Sequence, residues 1–488
     1  MEEILKHGRD AAWRSELRKS KKNKERTGIK RVKMPEALPD KRKHSYIEVN
    51  TGLTCEQAVR EAERCLDCPE PSCITGCPVE INIPTFIKNI ERNNFLEAAR
   101  VLKETSTLPA VCGRVCPQEK QCEAQCIYHV KLKKEPVAIG YLERFAADYE
   151  QQSGNISVPK TAPSNGIKIA VIGSGPAGLT FAGETAKLGY DVTVFEALHE
   201  IGGVLKYGIP EFRLPNRIVD VEIESLVKMG VKFETNFIVG KTATFDDLLK
   251  EGFKAFFVGS GAGLPRFMNI RGENLVGILS SNEYLTRINL MGASTKGCDT
   301  PVLSGKRVAV IGGGNTAMDS VRTALRLGAE RAVIIYRRSL EEMPARAEEI
   351  KHAMEEGVEF LTLNNPVEYI GDEHGKVKQI RVQKMELGEP DASGRRSPVP
   401  VEGSEYLIDI DTVVVSVGVS PNPLVSQSLP QLATTRWGTL VVNNNTMQTS
   451  IPQLFAGGDI VRGGATVILA MGDGRKAAAA MDVYLKGV

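Results

Sequence analysis

Long apolar runs are missing from this chain. None reaches the ~18 residues of a membrane span, and the polar N-terminus carries no secretory signal. A membrane role is set aside, and a cytoplasmic protein is expected. Aromatic residues are scarce too, at 6%, with two tryptophans. Residues 1–50 are basic but hold one Trp, one Tyr and no recognisable module, so nucleic-acid binding is not expected. Cysteine is almost absent outside one region. Of ten, nine fall between Cys55 and Cys126, and only Cys298 lies elsewhere. In a reducing compartment such crowding excludes a disulfide framework and points to metal or clusters.

The length of 488 residues is too great for one core and suggests about three domains at roughly 150 residues each. The net charge of +2 hides an asymmetry, because residues 1–50 hold 15 Lys and Arg against 8 Asp and Glu. This stretch reads as a solvated arm, with docking onto an acidic partner surface as the alternative.

From Thr54 the spacing CEQAVREAERCLDC turns helical. Two cysteine groups follow: Cys65-x2-Cys68-x4-Cys73-x3-Cys77, and Cys112-x3-Cys116-x5-Cys122-x3-Cys126, with prolines after Cys77 and Cys116. Structural zinc sites take four ligands, usually in tidy CxxC pairs. These irregular, proline-flanked spacings are closer to ferredoxin usage, where a motif's last cysteine serves the other cluster. Two short helices are expected between the groups, over IPTFIKNIERNNFLEAARVLKET.

After a polar linker comes KIAVIGSGPAGLT, a buried strand running into Gly173, Gly175, Pro176, Ala177 and Gly178. The first glycine makes the tight turn, the second lets a pyrophosphate approach, and the third packs helix on strand. The helix N-terminus offers unpaired N–H groups to phosphate. Glu196 ends the next strand, 18 residues past Gly178, where a ribose-binding acid belongs. Gly202 and Gly203 follow, and AFFVGSGA is expected to return to the same sheet.

The motif recurs at 306–319. KRVAVIGGGNTAMD supplies Gly312, Gly314, Asn315, Thr316 and Ala317, and the next strand ends in Arg337 and Arg338. An acid accepts from a ribose 2′-OH, whereas guanidinium groups clamp a 2′-phosphate. The first site should therefore take a free ribose and the second NADP. Strands are expected near 358–370, 378–386 and 410–418, with a polar excursion at 388–404. Near the end, Gly457, Gly458 and Asp459 again read as cofactor-facing, the acid suited to a polyol hydroxyl.

The segments RCLDCPEPSCITGCPVEINIP, VCGRVCP, VIGSGPAGL, GGVLKYGIPEFRLP, IGGGNTAMD, YRR, EEMPA and FAGGD together resemble the glutamate synthase small (beta) chain family. The resemblance extends to the large subunit of the bifurcating NADH-dependent ferredoxin:NADP oxidoreductase and to the N-terminal half of dihydropyrimidine dehydrogenase. It implies an α/β fold with two nested Rossmann-like domains, for FAD and NADPH, in a glutathione-reductase-like arrangement. An α-helical domain with two 4Fe-4S clusters precedes them. The implied boundaries are an arm at 1–50, the cluster domain at 51–150, a linker at 151–165, the FAD domain at 166–304 and 419–488, and the inserted NADPH domain at 305–418.

By the family's pattern Cys65, Cys68, Cys73 and Cys126 hold one cluster, and Cys77, Cys116 and Cys122 the other. Its fourth ligand is Glu143, with Cys112 as rival. No catalytic acid or base is expected, since hydride transfer needs proximity and exclusion of water. The implied function is an NADPH-oxidising electron-input subunit serving a partner with a second flavin or acceptor site. That partner is a glutamate synthase large chain or, in the bifurcating alternative, a small NAD-binding flavoprotein. The second cysteine motif, with Cys112 and two extra residues before Cys122, looks like the stand-alone or bifurcating relatives. Without glutaminase and FMN-barrel portions, the chain is expected to supply electrons and not itself to make glutamate. A non-catalytic assembly subunit is the reading of another class.

Overall fold

Short apolar runs closed by glycine make parallel strands, because a strand covered by helices on both faces must be apolar throughout. KIAVI has four of five residues buried, and so has RVAVI. The computed structural model describes residues 8–295, 297–392 and 394–487. Its strands begin with Lys168–Ile172 (β1), Asp191–Phe195 (β2), Lys232–Glu234 (β3) and Phe253–Val258 (β4). Next come Ile278–Ser280 (β5), Arg307–Ile311 (β6), Arg331–Tyr336 (β7) and Glu359–Thr362 (β8). Then follow Asn364–Gly371 (β9), Val377–Pro390 (β10), Arg396–Pro400 (β11), Tyr406–Asp409 (β12), Thr412–Val415 (β13) and Leu454–Ala456 (β14).

Two parallel five-stranded sheets result, ordered β14-β4-β1-β2-β3 and β5-β13-β6-β7-β8. The first sheet receives β14 only after the whole second sheet has formed, so one dinucleotide fold is nested in the other. An antiparallel sheet, β9-β10-β11 with β12 beside β10, lies between β8 and β13 in sequence. The helix Pro176–Lys187 packs along the last helix, Val467–Lys486, at a distance small residues allow. A Cβ on Gly474 would stand 2.4 Å from the Ala177 carbonyl oxygen.

The cysteine region is helical, including Cys55–Ala62, Ile83–Glu91, Phe95–Lys103, Pro109–Val115 and Ile139–Ser153. It shares one hydrophobic core with the first sheet, in which Phe86, Leu142, Phe181 and Phe257 are all buried. No described helix is long and apolar enough to cross a membrane.

One expectation is corrected. Among its described residues the arm is anchored on the fold by its arginines, while Lys19, Lys22 and Lys24 stay exposed. Arg14, Arg26 and Arg42 are buried and each meets an acid: Arg14 pairs with Asp67, Arg26 with Glu91 at 2.8 Å, and Arg42 with Glu356 at 3.0 Å. Arg31 adds a pair to Glu123 at 2.8 Å. A run of basic residues looks alike in sequence whether water or carboxylates surround it. The 388–404 excursion includes the β10–β11 pairing, with Leu387 opposite Pro398 and Pro390 opposite Arg396. Prolines 398 and 400 lie on β11, an edge strand, where proline is tolerated.

Glu356 carries a testable consequence. Burial alone would raise its pKa, but hydrogen bonds and charge from Arg322 and Arg326 hold it down to about 2, against 4.5 when free. Its contribution to stability is therefore complete above pH 4.5 and is lost as pH falls toward 2. Acid unfolding followed by circular dichroism should be shallower in that window for Glu356→Gln, which starts from lower stability. Parallel curves for the two proteins would remove Glu356 from the account.

Candidate functional site

Both glycine turns open on one cavity of about 1940 Å³. Every residue expected to contact a nucleotide cofactor lines it except Gly178, Gly202, Ala317 and Gly457, which lie behind the wall. Gly173 has φ +97°, and a Cβ there would stand 2.7 Å from the Gly259 carbonyl oxygen. On Gly178 a Cβ would stand 2.0 Å from the Gly173 oxygen, so the helix can seat on the turn only without one. At Gly175, by contrast, the nearest atom is 3.9 Å away, which leaves room for a phosphate against the backbone. Gly203, at φ +56°, closes over this turn with its Cβ position 2.9 Å from the Gly175 Cα.

Glu196 is buried at the end of β2. Its Oε2 accepts from the Ser174 N–H (2.9 Å) and hydroxyl (2.5 Å), and its Oε1 from the Leu198 N–H (2.9 Å). The carboxylate thus braces the glycine turn and keeps remaining lone pairs for a ribose. Asp459, after Gly458 on the opposite wall, accepts from the Ala465 N–H at 3.0 Å, and burial raises its pKa to about 6. Pro176 and Ala177 lie between, with Ala177 3.0 Å from where a Gly458 Cβ would be.

The second turn repeats the first. A Cβ on Gly312 would lie 2.3 Å from the Ser416 carbonyl oxygen, while Gly314 faces open space. Asn315 Oδ1 accepts from the Arg346 N–H at 2.9 Å, and Thr316 is exposed to the cavity. The two arginines that follow β7 part company. Arg337 is exposed on the cavity wall, whereas Arg338 is buried, paired with Asp391 and donating to the Arg396 carbonyl oxygen at 2.8 Å.

The cysteines form two sets. Cys65, Cys68, Cys73 and Cys126 line a single small cavity with Pro71 and Ile83. Burial pushes the Cys65 thiol up to about 11 and that of Cys73 higher, with neighbouring cysteines adding to the rise. Cys77, Cys116 and Cys122 form the second set, joined by Glu143. Burial, and after it the charges of Glu143 and Cys116, raise the Cys77 thiol to about 12. Glu143 projects from the helix Ile139–Ser153 and is fully buried, and its Oε1 has no hydrogen-bond partner among the described residues. Burial and, second, the charge of Glu222 raise it to about 8. Cys112 lies against both Cys116 and Met471, its Sγ 3.4 Å from the methionine sulfur. Buried thiols and an orphaned carboxylate oxygen fit a bound iron cluster, since its charge offsets what burial costs each anionic ligand.

The second set adjoins the large cavity. Val115 lines that cavity and immediately precedes Cys116, and a Cβ on Gly472 would stand 2.9 Å from the oxygen of Pro78, one residue past Cys77.

Sequence reading missed three groups. Arg213 donates to both oxygens of Asp319, at 2.7 and 2.6 Å, and so joins the two nucleotide folds. Asp473 is buried, accepts from the Gly458 N–H at 3.0 Å and pairs with Arg462 at 2.6 Å. An acid inside the small-residue helix MGDGRKAAAA was the available signal. Ser174, between two glycines, had none.

Two family models match the chain. Residues 42–155 match dihydropyrimidine dehydrogenase domain II, 4Fe-4S cluster, and residues 167–474 match pyridine nucleotide-disulphide oxidoreductase. The glutamate synthase NADPH small chain of Azospirillum brasilense is 36% identical over 465 residues, 93% of this chain and 96% of that one. Its counterpart in Escherichia coli is 37% identical over 458 residues, 92% and 96% of the two chains. The NADP-dependent formate dehydrogenase beta subunit of Moorella thermoacetica is 39% identical over 439 residues, covering 85% of this chain and 60% of that one. Among solved structures, Mycobacterium tuberculosis FprA in complex with NADPH overlays with a TM-score of 0.55 at 21% identity, over 67% of this chain and 85% of FprA. At that identity the likeness concerns the fold.

Proposed function

This chain belongs to the glutamate synthase small-chain family, and on that footing we propose that it delivers electrons from NADPH to a partner of the large-chain kind carrying a second flavin. It is an NADPH-dependent oxidoreductase of the electron-input type, a FAD and iron–sulfur subunit that works with another protein. The observation that carries the proposal is the shared cavity, on which both glycine turns open and which reaches Val115 beside Cys116.

Bound FAD supplies the conversion between hydride transfer and one-electron relay. The protein's own residues hold and orient. Gly173, Gly175, Glu196 and Asp459 form the FAD cradle, and Gly312, Gly314 and Arg337 form that for NADPH. No side chain is required as acid or base, because these walls act by position and by keeping water away. Cys77, Cys116, Cys122 and Glu143 would hold one four-iron cluster, and Cys65, Cys68, Cys73 and Cys126 the other, three of these last four being partly exposed. The clusters would supply one-electron carriers between the flavin and the partner. Cysteines kept as cluster ligands and not paired as disulfides suit a reducing compartment such as the cytoplasm.

Anaerobic titration with NADPH, with iron and flavin quantified, tests this. One FAD, about eight irons from two four-iron clusters, and flavin bleaching by NADPH ahead of NADH are expected. Zinc in place of iron, or an unbleached flavin, would promote the assembly reading. Adding a glutamate synthase large chain should give glutamine-dependent glutamate formation. Transfer only to a small NAD-binding flavoprotein would favour bifurcation instead.

Gly314→Val separates binding from folding. Nothing in the protein lies within 4 Å of the added Cβ, so the fold should hold. The side chain would occupy the pyrophosphate's path, and KM for NADPH should rise by at least about tenfold. An unchanged KM would place the nucleotide elsewhere.

A further inference from the structure

The cavity wall beside β7 is completed by the tip of the β10–β11 hairpin, which nothing in the glycine motif announces. Arg395, at this tip, lines the cavity with Arg337 and Arg338. The hairpin is tied to the end of β7 at three points. Arg338 pairs with Asp391, its Nε donates to the Arg396 carbonyl oxygen at 2.8 Å, and Arg396 pairs with Glu342 at 3.5 Å. Within the tip, the Asp391 N–H donates to the Arg395 carbonyl oxygen at 2.7 Å and the Gly394 N–H to the Asp391 oxygen at 2.9 Å. These two bonds set where the Arg395 side chain begins.

A guanidinium grips phosphate best by offering a pair of parallel N–H donors. Arg338 has Nε committed to one partner and Nη2 to another, and its charge already faces the Asp391 carboxylate. It is poorly placed to be half of a phosphate clamp. We propose that the ribose 2′-phosphate is held by Arg337 from the strand and Arg395 from the hairpin, with Arg338 as a positioning residue that fastens the hairpin through Asp391. Selectivity for a 2′-phosphorylated nucleotide is then shared between the Rossmann strand and an element outside the Rossmann pattern. The inference rests on the reading of the Gly312–Ala317 turn as the NADPH site.

Calorimetric titration of the FAD-loaded protein with NADP and with NAD tests it without turnover. Arg395→Ala should lower the ratio of NADP to NAD affinity by about tenfold, the size of one charge-assisted hydrogen bond. Arg337→Ala should do the same. Asp391→Asn should act through position, raising KM for NADPH more than it changes kcat, and Asp391→Glu should restore part of the loss. If Arg337→Ala lowers the ratio and Arg395→Ala leaves it untouched, the hairpin is not part of the site and the inference falls alone. If the unaltered protein does not distinguish NADP from NAD, the NADPH reading of this turn falls first.

Discussion

Glu143→Ala is expected to leave the protein with about four irons per chain in place of about eight, because one four-iron cluster loses its fourth ligand. The flavin should still bleach with NADPH, since neither glycine turn touches Glu143. Transfer onward to a partner or to a one-electron acceptor should fall by at least about a hundredfold, beyond what loss of an outer-shell group costs. The reasoning starts from burial. A carboxyl group whose Oε1 meets no donor is costly in a protein interior unless something else satisfies it. Glu143 is such a group, and its charge acts on the thiols of Cys77 and Cys122, each of which also lies beside Cys116. Cys112 is the competitor, buried beside Cys116 with its sulfur against that of Met471. Its replacement by Ala should cost about 1 kcal/mol of packing and leave the iron in place. Iron lost from Cys112→Ala and kept in Glu143→Ala would reverse the assignment.

Arg213→Ala is expected to destabilise the protein by about 3–5 kcal/mol, the cost of leaving a buried charge without its partner. Arg213 stands just before the helix Asn216–Lys228 of the first nucleotide fold, and Asp319 lies on the helix Asn315–Arg326 of the second. Their pair continues into a buried network. Arg213 reaches Glu349 at 3.3 Å, Arg322 pairs with Glu349 and Glu356, and Arg42 reaches Glu356 from the N-terminal arm. Three parts of the chain are thereby clamped in one relative orientation. Burial pushes Asp319 up to about 6 despite Arg213, so it is still ionised at pH 7. Hydride transfer depends on how the two folds face each other, and about 1 Å of misplacement can cost about a hundredfold. Stopped-flow reduction by NADPH should therefore slow by about that factor in Arg213→Met, which keeps the volume but not the charge. NADPH affinity should change far less, because Arg337 and Gly314 remain. A rate within twofold of normal would mean that the pair stabilises the protein without orienting its domains.

What the sequence determined by itself is what local geometry demands. Gly173 and Gly312 adopt positive φ against a neighbouring carbonyl, and Gly178 has no room for a Cβ. Only certain residues meet such demands, so they mark their places one by one. The cysteine spacings are local in the same way within each group, whereas Cys126 meets Cys65, Cys68 and Cys73 only through the fold. The nesting of the folds was implied by the family resemblance, and the strand order bears it out.

Tertiary structure alone decided which charges are spent inside the protein. Arg42 meets Glu356 across 314 residues and Arg213 meets Asp319 across 106, and no local pattern distinguishes these from solvated charges. Arg338 and Arg337 are adjacent in sequence and equivalent by motif, yet the hairpin's Asp391 occupies one and leaves the other on the cavity wall. The physical reason is common to all of them. A charged side chain is committed by whatever carboxylate the folded chain brings within reach, and long-range packing chooses that partner.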